Sequence, residues 1–370
     1  MPEIFELADD LGPAKSIFVH EPRLGLKGLL VIDNVARGPS IGGLRIAPDV
    51  TVSECFRLAR AMTLKNSAAG LAHGGGKSVI WGDPRMPSEQ KEALLRAFAH
   101  ALRNEPDYIF GPDMGSDESC MAWIKDEIGR AVGLPAALGG IPLDELGATG
   151  WGLLHAAEVA APAAGFALDG ARVVIQGFGA VGKHAARFLA SRGAVLVGAS
   201  DSRGAIIKES GLDVEELIAF KQYGASVCDF PGGRKASGDE LLDLDCEIWL
   251  PAARPDVITV ASADRLRAKL VLEGANIPLT AEAEESLHKR GVLCLPDFVA
   301  NAGGVICAAM EYAGATQTAA FEAIEEKIRA NVAAVLAATG QRGITPRSAA
   351  LELAASGLRR AMSTRRFNIM

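Results

Sequence analysis

The chain has 370 residues, of which 49% are hydrophobic and 22% are charged, and its formal net charge is -7. These values are typical of a globular protein with about two domains. Acidic and basic residues are interspersed without a basic tract, and no apolar run approaches the ~20 residues of a membrane span, so neither nucleic acid nor a membrane is an expected partner.

The cysteines are scattered, without the close pairs that zinc sites and thiol redox motifs require. We expect buried, reduced thiols and no metal site. The N-terminal stretch MPEIFELADD is acidic and lacks the apolar core of a signal peptide, so a cytoplasmic enzyme is expected. The cysteines are Cys55, Cys120, Cys228, Cys246, Cys294 and Cys307.

The first part of the chain predicts an α/β domain at residues 1–145. SIFVHEP and LKGLLVID have strand character, and the Gly- and Pro-rich segment ARGPSIGGLRIAPDV is typical of a structured loop. TVSECFRLARAMTLKNSAAG has helical spacing, with Thr51 or Ser53 as the N-cap. SVIWGD predicts a short strand and SEQKEALLRAFAHALRNE an amphipathic helix.

The second part, residues 146–335, predicts a doubly wound dinucleotide-binding domain of the Rossmann type. The segment TGWGLLHAAEVAAPAAG predicts a helix of small residues. From Ala171 onward, short apolar strands alternate with helices, which indicates a parallel sheet covered on both faces. The chain is helical from about Phe321, and we expect residues 335–370 to pack back on the first domain.

A glycine motif follows the first of these strands, in ARVVIQGFGAVGKHAARF. Gly177 permits a tight turn, Gly179 lets the backbone approach a pyrophosphate at the helix N-terminus, and Gly182 allows helix and strand to pack closely. The intervening residues, Ala180 and Val181, belong to the same predicted cofactor loop. This context predicts dinucleotide binding, whereas the glycines alone are a weak signal.

The acidic residue expected after the next strand is Asp201, 19 residues beyond Gly182. Its carboxylate is suited to accept hydrogen bonds from the adenine ribose, and it would repel a ribose phosphate, which favours NAD. Ser202 and Arg203 follow at once and are suited to bind that phosphate, so NADP stays an alternative.

A second glycine run, HGGGKS, superficially matches a phosphate-binding loop. That motif requires G-x-x-x-x-G-K-[ST], and Leu71 occupies the position of its first glycine, which argues against an ATPase or kinase. Lys65 and Lys77 flank this run. By spacing alone, two such lysines are more often solvated surface charges than a site.

Seven motifs in fixed order change that interpretation. They are GPSIGGLRIAPDV, MTLKNSAAGLAHGGGKSVI, GPDMGSDE, ATGWG, QGFGAVG, LEGAN and PDFVANAGGV. Together they resemble the glutamate/leucine/phenylalanine/valine dehydrogenase family over almost the entire chain. The resemblance implies oxidative deamination of an L-amino acid to a 2-oxo acid and ammonia, with NAD or NADP, by a homo-oligomer built largely through the first domain.

The resemblance also assigns the catalytic groups. Lys65 corresponds to the lysine that binds the substrate α-carboxylate, Lys77 to the catalytic lysine, and Asp113 to the aspartate that handles protons. Two neighbouring, partly desolvated ammonium groups disfavour each other's charged form, so Lys77 is expected to activate water as a base. Once charged, it is expected to stabilise the developing oxyanion of the carbinolamine.

Further positions follow from the same resemblance. Thr149 corresponds to a residue near the nicotinamide amide, and Asn276 to one near the nicotinamide ribose and the substrate. Asn301 corresponds to a second asparagine of the cofactor cleft, while Gly42 and Gly43 line the substrate loop. Without the resemblance, each of these polar groups is better explained as a turn cap.

The expected side-chain pocket comprises Ile41, Gly111, Val305 and Ala308. Glutamate-specific relatives have a lysine in place of Ile41 and a serine in place of Ala308, so a substrate carboxylate would lack partners here. This pattern predicts an apolar aliphatic or aromatic substrate. A glutamate dehydrogenase with an atypical pocket and a non-catalytic dinucleotide-binding homologue are the alternatives.

Overall fold

The computed structural model describes residues 4–370, which group into two units. The first unit runs to Leu143 and takes in Val305–Ala320 and Leu353–Met370, and the second comprises Asp144–Gly304 and Phe321–Glu352. Within the described residues, no helix is long and apolar enough to cross a membrane, and no group of side chains is arranged to hold a metal ion. All six cysteines are free and buried, which confirms the expectation of reduced thiols.

The first unit contains a five-stranded sheet in the order β1-β2-β4-β3-β5. β1 pairs with β2 and β2 with β4 in antiparallel fashion, whereas β3 runs parallel to both β4 and β5. The sheet is therefore mixed, with the three parallel strands on one side. Its strands are β1 (Lys15–Glu21), β2 (Leu26–Asn34), β3 (Ser40–Ala47), β4 (Gly74–Trp81) and β5 (Tyr108–Pro112).

Helices cover both faces of this sheet. The helix α1 (Val52–Ala68) begins at Thr51, whose side chain accepts a hydrogen bond from the Glu54 backbone N–H. Its apolar residues pack on one face, and α2 (Ser88–Ala101) and α3 (Glu118–Ile128) pack on the other. The two predicted helices in this part of the chain are confirmed.

The prediction for the segment around Gly42 was wrong, because the expected loop forms the strand β3. The strand predicted at SVIWGD is confirmed as β4, although it begins four residues earlier, at Gly74. A Cβ atom on Gly42 would lie 2.0 Å from the Gly76 carbonyl oxygen of β4. This glycine therefore allows neighbouring strands to approach closely, whereas composition alone suggested a structured loop.

The second unit contains a seven-stranded sheet in the order β12-β11-β10-β6-β7-β8-β9. The five strands from β12 to β7 are parallel, and β8 and β9 add an antiparallel edge. This arrangement confirms the Rossmann-type prediction. The strands are β6 (Arg172–Gln176), β7 (Val195–Asp201), β8 (Gly204–Ile207), β9 (Arg234–Ala236), β10 (Ile248–Pro251), β11 (Leu270–Leu272) and β12 (Leu293–Leu295).

The remaining helices connect these strands and complete the chain. They are α4 (Leu143–Leu146), α5 (Ala148–Ala163), α6 (Ala180–Ala190), α7 (Val214–Gln222), α8 (Val260–Arg265), α9 (Ala281–Lys289), α10 (Asp297–Ala300), α11 (Gly303–Tyr312), α12 (Gln317–Arg342) and α13 (Pro346–Ser363). Short 3₁₀ helices occur at Ile4–Leu7, Ala136–Leu138, Val227–Asp229 and Glu240–Asp243. The last residues of α13 belong to the first unit, and most of α12 belongs to the second.

Candidate active site

The first unit brings Lys77 and Asp113 together. Lys77 lies in β4 and is only 5% exposed, and its Nζ is 2.8 Å from Oδ2 of Asp113, which follows β5 directly. β3 lies between β4 and β5 in the sheet, and its Gly43 lies beside both side chains. A Cβ atom on Gly43 would lie 2.8 Å from the Asp113 Cβ and 3.1 Å from the Lys77 Nζ. Glycine at this position therefore leaves room for the ion pair.

Arg45 completes this cluster and was not among the predicted site residues. Its Nε donates to Asp113 Oδ2 at 2.8 Å, and its Nη1 donates to Glu54 Oε1 at 2.5 Å. Alternation along β3 places Arg45 on the same face as Gly43. That two-residue spacing is the signal in the sequence that would have identified it, had the segment been recognised as a strand.

The charges of the cluster act most strongly on Asp113. Burial alone would raise the pKa of its carboxyl group, but the nearby Lys77 and Arg45 charges and their hydrogen bonds bring this pKa well below the usual range. Ser116 fixes the backbone at this point, because its Oγ accepts from the Asp113 N–H and donates to the Leu44 carbonyl. The carboxylate is thus ionised and held in place at neutral pH.

Lys65 lies in the last turn of α1, at the end of the sheet where β4 begins. A Cβ atom on Gly75 would lie 2.0 Å from the Thr63 backbone nitrogen, so the helix rests directly on the strand. Asn66 connects the same turn to the sheet by donating to the Gly74 carbonyl at 2.6 Å and to the Ile41 carbonyl at 3.4 Å. Three glycines in a row are required because α1 and the neighbouring strands lie so close to β4.

The predicted pocket residues all belong to the first unit. The register pairs Ile41 with Gly75 and Gly43 with Gly111, which places Ile41 and Gly111 on the face that carries Lys77. A Cβ atom on Gly111 would approach Val132 no closer than 3.6 Å, so space remains above this residue.

The helix α11 carries the other two pocket residues, Val305 and Ala308. Glu311 anchors this helix, because its carboxylate accepts from the backbone N–H groups of Leu134 and Ile141 at 3.2 and 2.9 Å. His73, which had no predicted role, packs edge-on against Tyr312 of the same helix. Burial lowers the pKa of His73, which is consistent with a neutral packing residue.

The second unit carries the glycine turn at the carboxyl end of β6. Gly177 has φ +103°, and a Cβ atom there would meet the backbone of Ala252 and Ala253 at 2.7–2.8 Å. A Cβ atom on Gly182 would lie 2.0 Å from the Gly177 carbonyl oxygen. Gly179 differs, since a Cβ atom there would meet nothing within 4 Å, and this residue provides no side-chain cap for α6. Open backbone at an uncapped helix N-terminus fits a pyrophosphate, and the turn continues through Ala180 and Val181.

Two asparagines lie together near the carboxyl ends of β11 and β12. Asn301 Nδ2 donates to the carbonyls of Gly274 and Ala275 and to Asn276 Oδ1, each at 3.2 Å. Gly303 packs against Thr149, because its Cβ position lies 3.2 Å from the Thr149 Cα. Among the described residues, the buried Asn301 Oδ1 has no hydrogen-bond partner. An unpaired acceptor here fits a ligand that donates from a carboxamide, as nicotinamide does.

Asp201 lies at the end of β7, as predicted, but its oxygens are already engaged within the chain. Oδ1 accepts from the Arg203 N–H and the Ser226 Oγ, and Oδ2 accepts from the Lys221 Nζ and the Val227 N–H, at 2.6–3.0 Å. Burial would raise the pKa of this carboxyl group, but these donors bring it well below its usual range. Ser202 lies between Asp201 and Arg203 on the turn to β8.

Comparisons with known proteins identify the family of this chain. Residues 139–366 match the family Glutamate/Leucine/Phenylalanine/Valine dehydrogenase, and residues 13–130 match the Glu/Leu/Phe/Val dehydrogenase, dimerisation domain. The NADP-specific glutamate dehydrogenase of Saccharolobus shibatae is 40% identical over 294 residues, which cover 76% of this chain and 69% of that protein.

Two solved structures share the fold of the whole chain. The hetero-hexameric glutamate dehydrogenase of Thermus thermophilus in its leucine-bound form is 31% identical, with a TM-score of 0.85 over 95% of this chain and 90% of its own. The L-tryptophan dehydrogenase of Nostoc punctiforme is 26% identical, with a TM-score of 0.74 over 97% of this chain and 99% of its own.

Proposed function

The chain belongs to the glutamate/leucine/phenylalanine/valine dehydrogenase family and is an NAD(P)-dependent amino acid dehydrogenase, and from this premise we propose that it oxidises an apolar aliphatic or aromatic L-amino acid. The observation that carries the reaction is the buried Lys77–Asp113 pair beside Gly43. Substrate binds in the first unit and the dinucleotide in the second, and the chain assembles as a homo-oligomer through the region that matches a dimerisation domain.

The reaction consumes the amino acid, water and oxidised dinucleotide, and releases the 2-oxo acid, ammonium, reduced dinucleotide and one proton. The bound dinucleotide would supply the acceptor for the hydride that leaves the α-carbon. Gly177, Gly179 and Gly182 would hold its pyrophosphate. Thr149 and Asn301 would orient its nicotinamide, and the unpaired Asn301 Oδ1 supports this assignment.

The chain's own side chains handle charge and protons. Lys65 binds the substrate α-carboxylate. Asp113 is the carboxylate that takes a proton from the substrate ammonium group, which must be neutral before the α-carbon can release hydride. Its basicity rises when Lys77 gives its ammonium proton to solvent, because one of the two cations that hold the pKa of Asp113 low is then removed. Once neutral, Lys77 takes a proton from the water that adds to the resulting imine, and the ammonium so formed stabilises the oxygen of the carbinolamine. Asp113 returns its proton to the nitrogen as the carbon–nitrogen bond breaks, and the departing ammonia carries away the carbinolamine hydroxyl proton as ammonium.

The pocket residues support the apolar substrate. Ile41 and Ala308 are apolar side chains that are 3% and 6% exposed. Neither of them offers a charge or a hydroxyl to a substrate side chain. A glutamate side chain would bring an unpaired carboxylate to this apolar wall, at a cost of several kcal/mol. The second candidate, glutamate, is favoured by the names of two of the similar proteins described above.

A steady-state screen separates these candidates. We expect reduced dinucleotide to form at alkaline pH with leucine, valine, isoleucine, phenylalanine or tryptophan, and a kcat/KM for the best of them at least tenfold above that for glutamate. NAD and NADP are each tested with every amino acid. Higher kcat/KM for glutamate would select the second candidate. No turnover with any amino acid, together with retained dinucleotide binding, would select a non-catalytic binding protein.

A further inference from the structure

Ile277 has an unusual backbone conformation at a place of functional interest. Its φ is +49°, in the left-handed region, where a β-branched side chain is strained. It directly follows Asn276, the exposed residue that the family resemblance places near the nicotinamide ribose. Strain of this kind persists only where surrounding groups hold the backbone firmly.

Two hydrogen bonds hold the Ile277 backbone on both sides. Its N–H donates to Asp297 Oδ2 at 3.0 Å, and its carbonyl accepts from the Asp256 N–H at 2.9 Å. The side-chain contact comes from the first residue of α10, 20 positions further along the chain. Asp297 therefore fixes the left-handed residue from outside its own loop.

Asp297 is itself held by a buried ionic cluster. Its Oδ1 accepts from Arg347 Nη1 at 3.1 Å, and its N–H donates to Glu273 Oε2 at 3.2 Å. Arg347 also donates to Glu273 at 2.8 Å and to Glu284 at 2.5 Å. Glu273 is fully buried and Glu284 and Asp297 are nearly so, which makes the positions of these groups costly to change.

The other end of α10 holds the preceding residues of the loop. Asn301, which ends this helix, donates to the carbonyls of Gly274 and Ala275 and to the side chain of Asn276. One short helix thus contacts four consecutive loop residues, with Asp297 at its start and Asn301 at its end. Asp297 contacts the strained residue Ile277, whereas Asn301 contacts the three residues before it.

We propose that Asp297, held by Arg347 and Glu273, is a positioning residue that keeps Ile277 left-handed and so presents Asn276 to the dinucleotide. This inference rests on the proposed function and on the role that the family resemblance implies for Asn276. Removing the Asp297 carboxylate would let residue 277 relax, and Asn276 would lose its orientation. Glycine at position 277 adopts the same conformation without strain, so it would compensate for the loss.

The test compares D297A, I277G and the double variant I277G/D297A in the full-length protein. We expect D297A to lower kcat roughly tenfold, with faster amide hydrogen exchange at residues 274–278. NADH binding, followed by fluorescence, should change little because the glycine turn is untouched. The double variant should recover kcat to within about threefold of the wild type, since a glycine at position 277 needs no restraint.

E284Q is the matched control, because Glu284 contacts Arg347 but not the loop. It should lower the melting temperature and leave kcat and loop exchange unchanged. If D297A does not fold, the comparison uses D297L, which keeps the side-chain volume but has no acceptor for the Ile277 N–H, with and without I277G.

Two results would overturn the positioning role. One is a D297A variant that loses thermal stability while kcat and exchange at residues 274–278 match the wild type. The other is a double variant no more active than D297A. Failure of the proposed function is distinguishable, since the wild type would then turn over no amino acid while the exchange comparison would still report on Ile277.

Discussion

Arg45 offers a direct test of the charge balance around the catalytic pair. It is the second cation on Asp113 Oδ2, and it also holds Glu54. The R45M variant keeps most of the side-chain volume and removes the guanidinium. Asp113 would then depend on Lys77 alone, and the carboxylate of Glu54 would lose its partner within the cluster.

The expected magnitude follows from the burial of the pair. The side chains of Arg45 and Asp113 are 15% and 21% exposed, so the loss lies between that of a surface ion pair and that of a fully buried one. We expect about 2 kcal/mol of unfolding free energy to be lost at neutral pH, which lowers the Tm by roughly 4–8 °C. R45K keeps the charge without the two-armed contact and should lose about half as much.

The dependence on pH gives a second measure. Because the folded-state pKa of Asp113 lies below its unfolded value of about 3.9, its contribution to stability is present above that value and is lost as pH falls through the folded pKa. R45M raises the folded pKa, so its Tm difference from wild type should be large at pH 7 and shrink under acidic conditions. The assay is thermal unfolding of R45M and of the wild type, measured from pH 7 to acidic pH. A difference that stays constant with pH would refute the electrostatic explanation.

Three further predictions concern the reaction, the substrate and the cofactor. K77M should lower kcat at least a thousandfold while NADH fluorescence titration shows unchanged binding, and residual activity near wild type would remove Lys77 from the mechanism. The double variant I41K/A308S should raise kcat/KM for glutamate relative to leucine by tenfold or more, in a competition of the two substrates. G179A should weaken dinucleotide binding in calorimetry without lowering the Tm, because a Cβ atom there meets nothing within 4 Å. G182A should lower the Tm, because its Cβ atom would lie 2.0 Å from the Gly177 carbonyl oxygen. Equal Tm values for the two variants would contradict this distinction.

The glycine motif and the main helices could be predicted from the sequence because their determinants are local. Gly177, Gly179 and Gly182 lie within six residues, and the strand and helix that flank them have clear apolar patterns. The N-cap of α1 and the alternation of strands and helices in the second unit depend on neighbouring residues in the same way. The seven motifs, in their fixed order, extended the prediction from the fold to the family and its reaction.

The strand β3 could not be predicted, because its glycines have a tertiary purpose. Composition alone associates Gly42 and Gly43 with a structured loop. Only the approach of β4 and the Lys77–Asp113 pair shows why side chains are excluded there. Arg45 was missed for the same reason. Its contact with Asp113 spans 68 positions and depends on β3 lying between β4 and β5.

The sequence by itself therefore determined the class of fold, the dinucleotide turn and the likeness to the amino acid dehydrogenases. Only the tertiary structure decided which groups surround each charge: that Asp113 accepts from two cations, that Asp201 is saturated by four donors, and that Asp297 reaches Ile277. The physical reason is that burial and hydrogen bonding of a charge depend on residues far apart in the chain, which become neighbours when the strand order is established.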